Sequence, residues 1–233
     1  VVVGTEQRIE VLPALRQLLP DGLQRGTTVG VAGPARLSLG IAVAAGAVGD
    51  GAWVATIGCD ELCLAGAEQA GVALDRLVLV EQPPRSSWGA VVAALVDAFD
   101  VVLMDGTFRA RSRDARRLSS RARERGSVLI DVGGVWPEAP DLTLHVVDQQ
   151  WTGLGSGHGV LTARQVSVTV SGRRGVRPRQ VPLWLPSPDA APAAVTDVAE
   201  TSELSAIEVG HAGADIDALV AVDADSRDLR RVG

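Results

Sequence analysis

A chain of 233 residues, 46% of them hydrophobic, has room for one sizeable α/β domain with a packed core and some length to spare. No run reaches the roughly 18 uncharged apolar residues of a helical membrane span, and VVVGTEQRIE has neither the basic start nor the apolar stretch of a secretory leader, so a soluble, cytoplasmic protein without membrane contact is expected. The formal charge of −6 comes from the end of the chain, which leaves the rest near neutral and makes the placement of basic residues, all of them arginine, more informative than their number.

In chain order, residues 5–19 read as a short helix in which Pro13 starts the main turn and Leu12, Leu15, Leu18 and Leu19 form an apolar stripe. PDGLQRG turns the chain into residues 27–32, an apolar, β-branched run expected to be a buried strand, and 35–48 is a helix of small residues. AWVATIG is a second strand, 60–70 a helix, LDRLVLVEQP a third strand, and 86–98 a helix with apolar positions three and four apart. FDVVLMDG is the fourth strand, the arginine-rich 109–125 has helical composition, and SVLIDVGG is a fifth strand ended by a glycine pair. This alternation predicts an α/β fold with a mostly parallel sheet and helices on both faces, because parallel neighbours need long crossovers. After Pro140, DLTLHVVDQQW and ARQVSVTVSGRRG are strand-like with no helix between them, which predicts an antiparallel extension at the C-terminal edge. GLGSGHG between them lacks the strand-to-helix setting of a dinucleotide fingerprint and reads as a hairpin loop. The expected organisation is an N-terminal helix and turn over 1–26, a core domain over 27–185 and an acidic, largely disordered tail over 186–233.

The stretch VGVAGPARLSLG at 29–40 passes from strand through a glycine turn into helix, where many folds hold a nucleotide phosphate. A working phosphate loop, G-x-x-x-x-G-K-[ST], wraps the phosphates with backbone N–H groups, reaches them with the lysine and holds magnesium with the hydroxyl. Counted from Gly33, Ser38 stands at the second glycine, Leu39 at the lysine and Gly40 at the hydroxyl, while Arg36 falls on the loop. The lost charge alone is worth on the order of 4 kcal/mol at about 4 Å and an effective dielectric near 20. Loss of ATPase activity is therefore expected, with no cofactor, and Asp105 at the end of FDVVLMD reads as a relic of a metal-associated carboxylate or as a turn cap.

The order of these elements resembles the RecA family: LLPDGLQRGTTVGVAGPARLSLG is similar to its turn, strand and phosphate loop, WVATIGCDEL to its second core strand, AGVALDRLVLVEQP to the next helix end and strand, and FDVVLMDG to its Asp-ending strand. The resemblance covers about residues 12–172 and implies a RecA-like P-loop fold. Active members carry a water-activating glutamate after the second strand; none stands at Ile57 or Gly58, and Asp60 and Glu61 a few residues later are the alternative under a shifted alignment. The short chain, degenerate loop and acidic tail resemble the RecA-like accessory proteins of bacterial mutagenesis cassettes, the ImuA or actinobacterial ImuA-prime branch. That resemblance implies a non-hydrolysing, damage-induced protein acting beside an inactive Y-family polymerase homologue of ImuB type and an error-prone replicative-type DNA polymerase, with self-association left open. An ATP- and DNA-binding recombinase-like protein and an SOS-type cell-division inhibitor are the rival readings.

Other signals are local. Arg109, Arg113, Arg116 and Arg117 share a face if 109–125 is helical, with Arg121 continuing it, a surface suited to phosphate or carboxylate contact from DNA or a protein partner. Cys59 and Cys63 have no second ligand pair and read as buried reduced thiols, and His145, His158 and His211 are scattered, so no metal site is expected. In the tail, Ile216, Leu219 and Val220 form a small apolar face able to dock in a partner's groove. Trp88, Trp136, Trp151 and Trp184 flank turn-like sequence, where packing at the core or rim is the first expectation.

Overall fold

A computed structural model describes residues 8–49, 51–105, 109–155, 158–173 and 177–195. The chain opens with β1 (Arg8–Ile9), which pairs antiparallel with β2 (Leu23–Gln24). There follow β3 (Thr28–Ala32), α1 (Arg36–Gly49), β4 (Val54–Ile57), α2 (Leu64–Gln69), β5 (Leu77–Val80), α3 (Trp88–Ala98), β6 (Val101–Met104), α4 (Ser112–Arg125) and β7 (Val128–Asp131). Then come β8 (Leu142–Gly155), β9 (His158–Gly172), β10 (Arg179–Trp184) and β11 (Ala193–Ala194) without an intervening helix.

The main sheet has the order β11-β10-β9-β8-β3-β7-β6-β4-β5. From β8 to β5 all neighbours are parallel, and β9, β10 and β11 extend the β8 edge antiparallel, as the strand-only stretch after Pro140 predicts. The central strands VATI and VVLM are buried at every position because helices cover both faces. One face packs against α1 and the N-terminal segment; the other packs against α3, α4, Trp88 and Trp136. Among the described residues no helix is long and apolar enough to cross a membrane.

Two expectations at the domain ends are corrected. In place of a helix over 5–19 the described part is β1 and a single 3-10 turn, Pro13–Leu15. Leu15, Leu18 and Leu19 are buried in the α1-side core together with Ile9 and Val11, so tertiary packing takes up the leucines that looked like a helical stripe. The boundary at 186 is also too early: Ser187 is buried, Ser187 and Ala191 share a backbone hydrogen bond, and β11 closes the edge of β10. Main-chain pairing needs no large side chains, which is why an Ala-rich stretch concealed a strand. Residues 196–233, including Ile216, Leu219 and Val220, lie outside the described residues.

The β8–β9 pair outruns the sheet. β8 leaves β3 after His145, and β9 meets β10 only from Gln165, so the described residues 151–155 and 158–164 form a two-stranded ribbon that ends at the Gly155–His158 pair. Trp151, Leu154, Val160 and Leu161 are exposed on it.

Candidate functional site at the β3–α1 turn and the arginine helix

β3 ends at Ala32 and α1 begins at Arg36, so only Gly33, Pro34 and Ala35 connect them. A phosphate loop needs four residues between its two glycines to wrap the phosphates, and here the helix has already started. The turn lies hard against β8: Gly33 has φ +89°, and a Cβ on it would sit 2.1 Å from the Val146 carbonyl oxygen. Ala35 takes a left-handed φ of 63° to enter the helix.

The early helix start changes the reading of each position. Leu39 and Gly40 lie inside α1, not at its N-terminus. Leu39 is fully buried in the core, and a Cβ at Gly40 would come within 2.5 Å of Val132 Cγ1 and 3.1 Å of Leu103 Cδ1. Arg36, read from sequence as a loop residue, is instead the first residue of α1, and its guanidinium is 3.7 Å from the Asp105 carboxylate beyond the end of β6. Ser38, in the first turn, accepts a hydrogen bond of 2.9 Å from the Arg164 guanidinium on β9. Arg164 also donates through Nε to the Leu185 carbonyl at 2.7 Å and lies 4.8 Å from the Trp151 ring centroid. Burial holds Arg164 below the usual arginine range. Gly33, Arg36, Ser38 and Asp105 therefore gather at the start of α1, with Leu39 and Gly40 turned into the core beneath them.

Beside this turn, burial and then the Asp105 charge push the Cys59 thiol up to about 12. Asp131 accepts hydrogen bonds from the Val135 and Trp136 amides and is itself raised, by burial first. Cys63, expected to be buried, is exposed, because α2 starts after it at the surface. Iodoacetamide at pH 8 is therefore expected to alkylate Cys63 at least tenfold faster than Cys59, measured by peptide mass spectrometry; equal rates would contradict the environment described for Cys59.

The arginines of α4 divide into three sets. Arg121 and Arg125 both reach Asp97 on α3, Arg125 at 3.0 Å, and these contacts, the Arg121 hydrogen bond foremost, hold Asp97 below its usual value. On the opposite flank Arg116 pairs with Glu138 at 2.7 Å and Arg123 approaches Asp141 at 3.9 Å, lining a cleft of about 180 Å³ to which Arg173 also contributes. Asp141 is already held by the amide and hydroxyl of Thr28, which aligns β8 with β3. Arg113 and Arg117, four residues apart on the outer face, are exposed and make no ion pair or hydrogen bond among the described residues. The single face expected for Arg109, Arg113, Arg116, Arg117 and Arg121 is thus corrected: Arg109 precedes the helix and donates to the Pro137 carbonyl, and Arg121 is turned toward α3. Helical spacing places residues around a cylinder but does not say which neighbours meet them. Arg164 went unnoticed in the sequence, where its signal was a lone arginine inside the apolar strand ARQVSVTV.

A family model described as the MT3502 N-terminal domain matches residues 17–138. A Mycobacterium tuberculosis (strain ATCC 25618 / H37Rv) protein, described as uncharacterized protein Rv3395c, is 31% identical over 134 residues, which are 57% of this chain and 62% of that relative. The aligned part therefore spans less than two thirds of that relative's length. Among solved structures, the crystal structure of the RadB recombinase matches with a TM-score of 0.55 at 15% identity, covering 78% of this chain and 97% of that one. The likeness is one of fold: an α/β, RecA-like domain with a mostly parallel sheet and antiparallel strands at its C-terminal edge.

Proposed function

The chain belongs to the MT3502 N-terminal domain family, and from that premise we propose that it is a non-catalytic RecA-like accessory protein of DNA-damage-induced mutagenesis, of the ImuA-prime type. It works in the cytoplasm by contact alone, helping to assemble an inactive Y-family polymerase homologue and an error-prone replicative-type DNA polymerase into a translesion complex. The observation that carries this reading is the β3–α1 turn. It is three residues long, and the polar side chains in the first turn of α1 already face partners within the protein, Arg36 toward Asp105 and Ser38 bonded to Arg164.

One observation favours the rival, an ATP- and DNA-binding recombinase-like protein: Arg36 places a cation at the start of α1 beside a strand-end aspartate. Phosphate release from ATP, with and without single-stranded DNA, separates the two. No turnover above background is expected; turnover that disappears in Asp105→Asn would overturn the proposal.

The contact surface in this reading is the outer face of α4. Charge reversal by Arg113→Glu and Arg117→Glu is expected to weaken a polymerase-homologue or DNA complex at least tenfold at 50 mM salt while the thermal midpoint moves by less than about 3 °C, since neither side chain is paired within the described residues. Unchanged affinity across a salt series would remove α4 from the interface.

A further inference from the structure

The strongest unused feature of the molecule is a charge complementarity within one chain. Residues 196–233 carry nine carboxylates against three arginines, a net charge of −6 equal to that of the whole chain, so residues 1–195 are neutral in sum. Within that neutral domain the charges are segregated. Most α4 arginines face carboxylates, but among the described residues Arg111, Arg113 and Arg117 are exposed and paired with nothing.

Two of these three do not serve the helix that carries them. Arg123 and Arg125 lie in the last turn, where the negative end of the helix dipole favours cations. Arg111 is the N-cap and Arg113 stands in the first turn, where the dipole opposes them. An anionic partner at Arg111 and Arg113 would offset that opposition.

The acidic segment can reach it. β11 is five strand spacings from β7, over which α4 packs, or about 24 Å at ~4.8 Å per strand. One helix layer adds about 10 Å, and roughly ten extended residues beyond 195 cover the sum at ~3.4 Å each. Glu208, Asp215, Asp217, Asp223, Asp225 and Asp228 all lie further along than that.

We propose that the acidic segment 197–228 docks in cis on the outer face of α4, its carboxylates neutralising Arg111, Arg113 and Arg117. The segment then competes with any polyanion or acidic partner for the same arginines, and engagement of α4 requires its displacement. This adds regulation to the surface assigned above but does not depend on which partner uses it.

The absence of lysine from the sequence makes the test direct. In the full chain, Arg113→Lys or Arg117→Lys keeps the charge and introduces the only side-chain amine, which a carbodiimide couples solely to a carboxylate touching it. Mixed isotope-labelled and unlabelled chains separate links within a chain from links between chains. The expected result is intramolecular coupling to carboxylates within 197–228 at 20 mM salt, falling at least fivefold at 500 mM, with no such coupling in an Arg8→Lys control. Coupling confined to Asp114, Glu124 or other domain carboxylates, or found only between chains, overturns the proposal. As a second readout, replacing the nine carboxylates by amides in the full chain is expected to speed phenylglyoxal modification of Arg113 and Arg117 at least threefold; an unchanged rate also overturns it. Neither readout involves a polymerase, DNA or ATP, so failure here leaves the accessory-protein reading to its own tests.

Discussion

Writing the missing lysine and hydroxyl back into the chain, as Leu39→Lys with Gly40→Ser, is expected to unfold the domain and not to confer ATP binding. Leu39 is fully buried between α1 and the sheet, so its replacement removes about 2–3 kcal/mol of apolar burial and leaves an ammonium whose desolvation costs several kcal/mol more. Position 40 has no room for even a Cβ, with Val132 Cγ1 2.5 Å away, and overpacking of that kind adds about 1–3 kcal/mol. The sum is comparable to the whole stability of a domain, about 5–15 kcal/mol. Urea unfolding followed by circular dichroism and tryptophan fluorescence measures the loss, and calorimetry with a non-hydrolysable ATP analogue tests for binding. A double variant that keeps the native midpoint and takes up the analogue would show that the turn can open into a phosphate cradle.

Gly33→Ala is expected to cost about 3 kcal/mol or more, and to lower the thermal midpoint by about 6–12 °C. Two effects add. The residue sits at φ +89°, where an L side chain costs about 1–2 kcal/mol, and its Cβ would stand 2.1 Å from a backbone oxygen of β8 that cannot rotate away. Gly51→Ala separates the two, since it shares the positive φ of +85° but meets nothing within 4 Å, and about 1 kcal/mol is expected there. Equal losses at the two positions would mean that β8 is not seated against the turn. The measurement bears on function because the proposed absence of nucleotide turnover rests on this close seating of the β3–α1 connection.

Most of the core was legible because its physics is local. Runs such as VATI, VVLM and VLID, separated by helices with apolar spacing, read directly as parallel strands covered on both faces. The strand-only stretch after Pro140 likewise announced the antiparallel edge. The N-terminal leucines misled because burial rewards apolar residues in any conformation, and Leu15, Leu18 and Leu19 are held by contact with the core and not by helix. The surroundings of the candidate site were legible only in part. Gly33 and Ser38 flank the first residue of α1, and Asp105 approaches that residue, Arg36, from the end of β6. Arg36 opens α1, within a residue of the helix expected over 35–48, so it was the phosphate-loop count and not the helix reading that put it on a loop. Arg164 arrives at Ser38 from 126 residues away, a distance that sequence spacing cannot close.

What the amino-acid sequence determined by itself is the order of strands and helices, the loss of the phosphate-loop residues and the concentration of arginine before β7, since each is a matter of residue type and short-range periodicity. The tertiary structure alone decided which of those arginines are spent and which stay free. An ion pair forms only where the fold brings a carboxylate within reach: Asp97 for Arg121 and Arg125, Glu138 for Arg116, and none for Arg113 or Arg117 among the described residues.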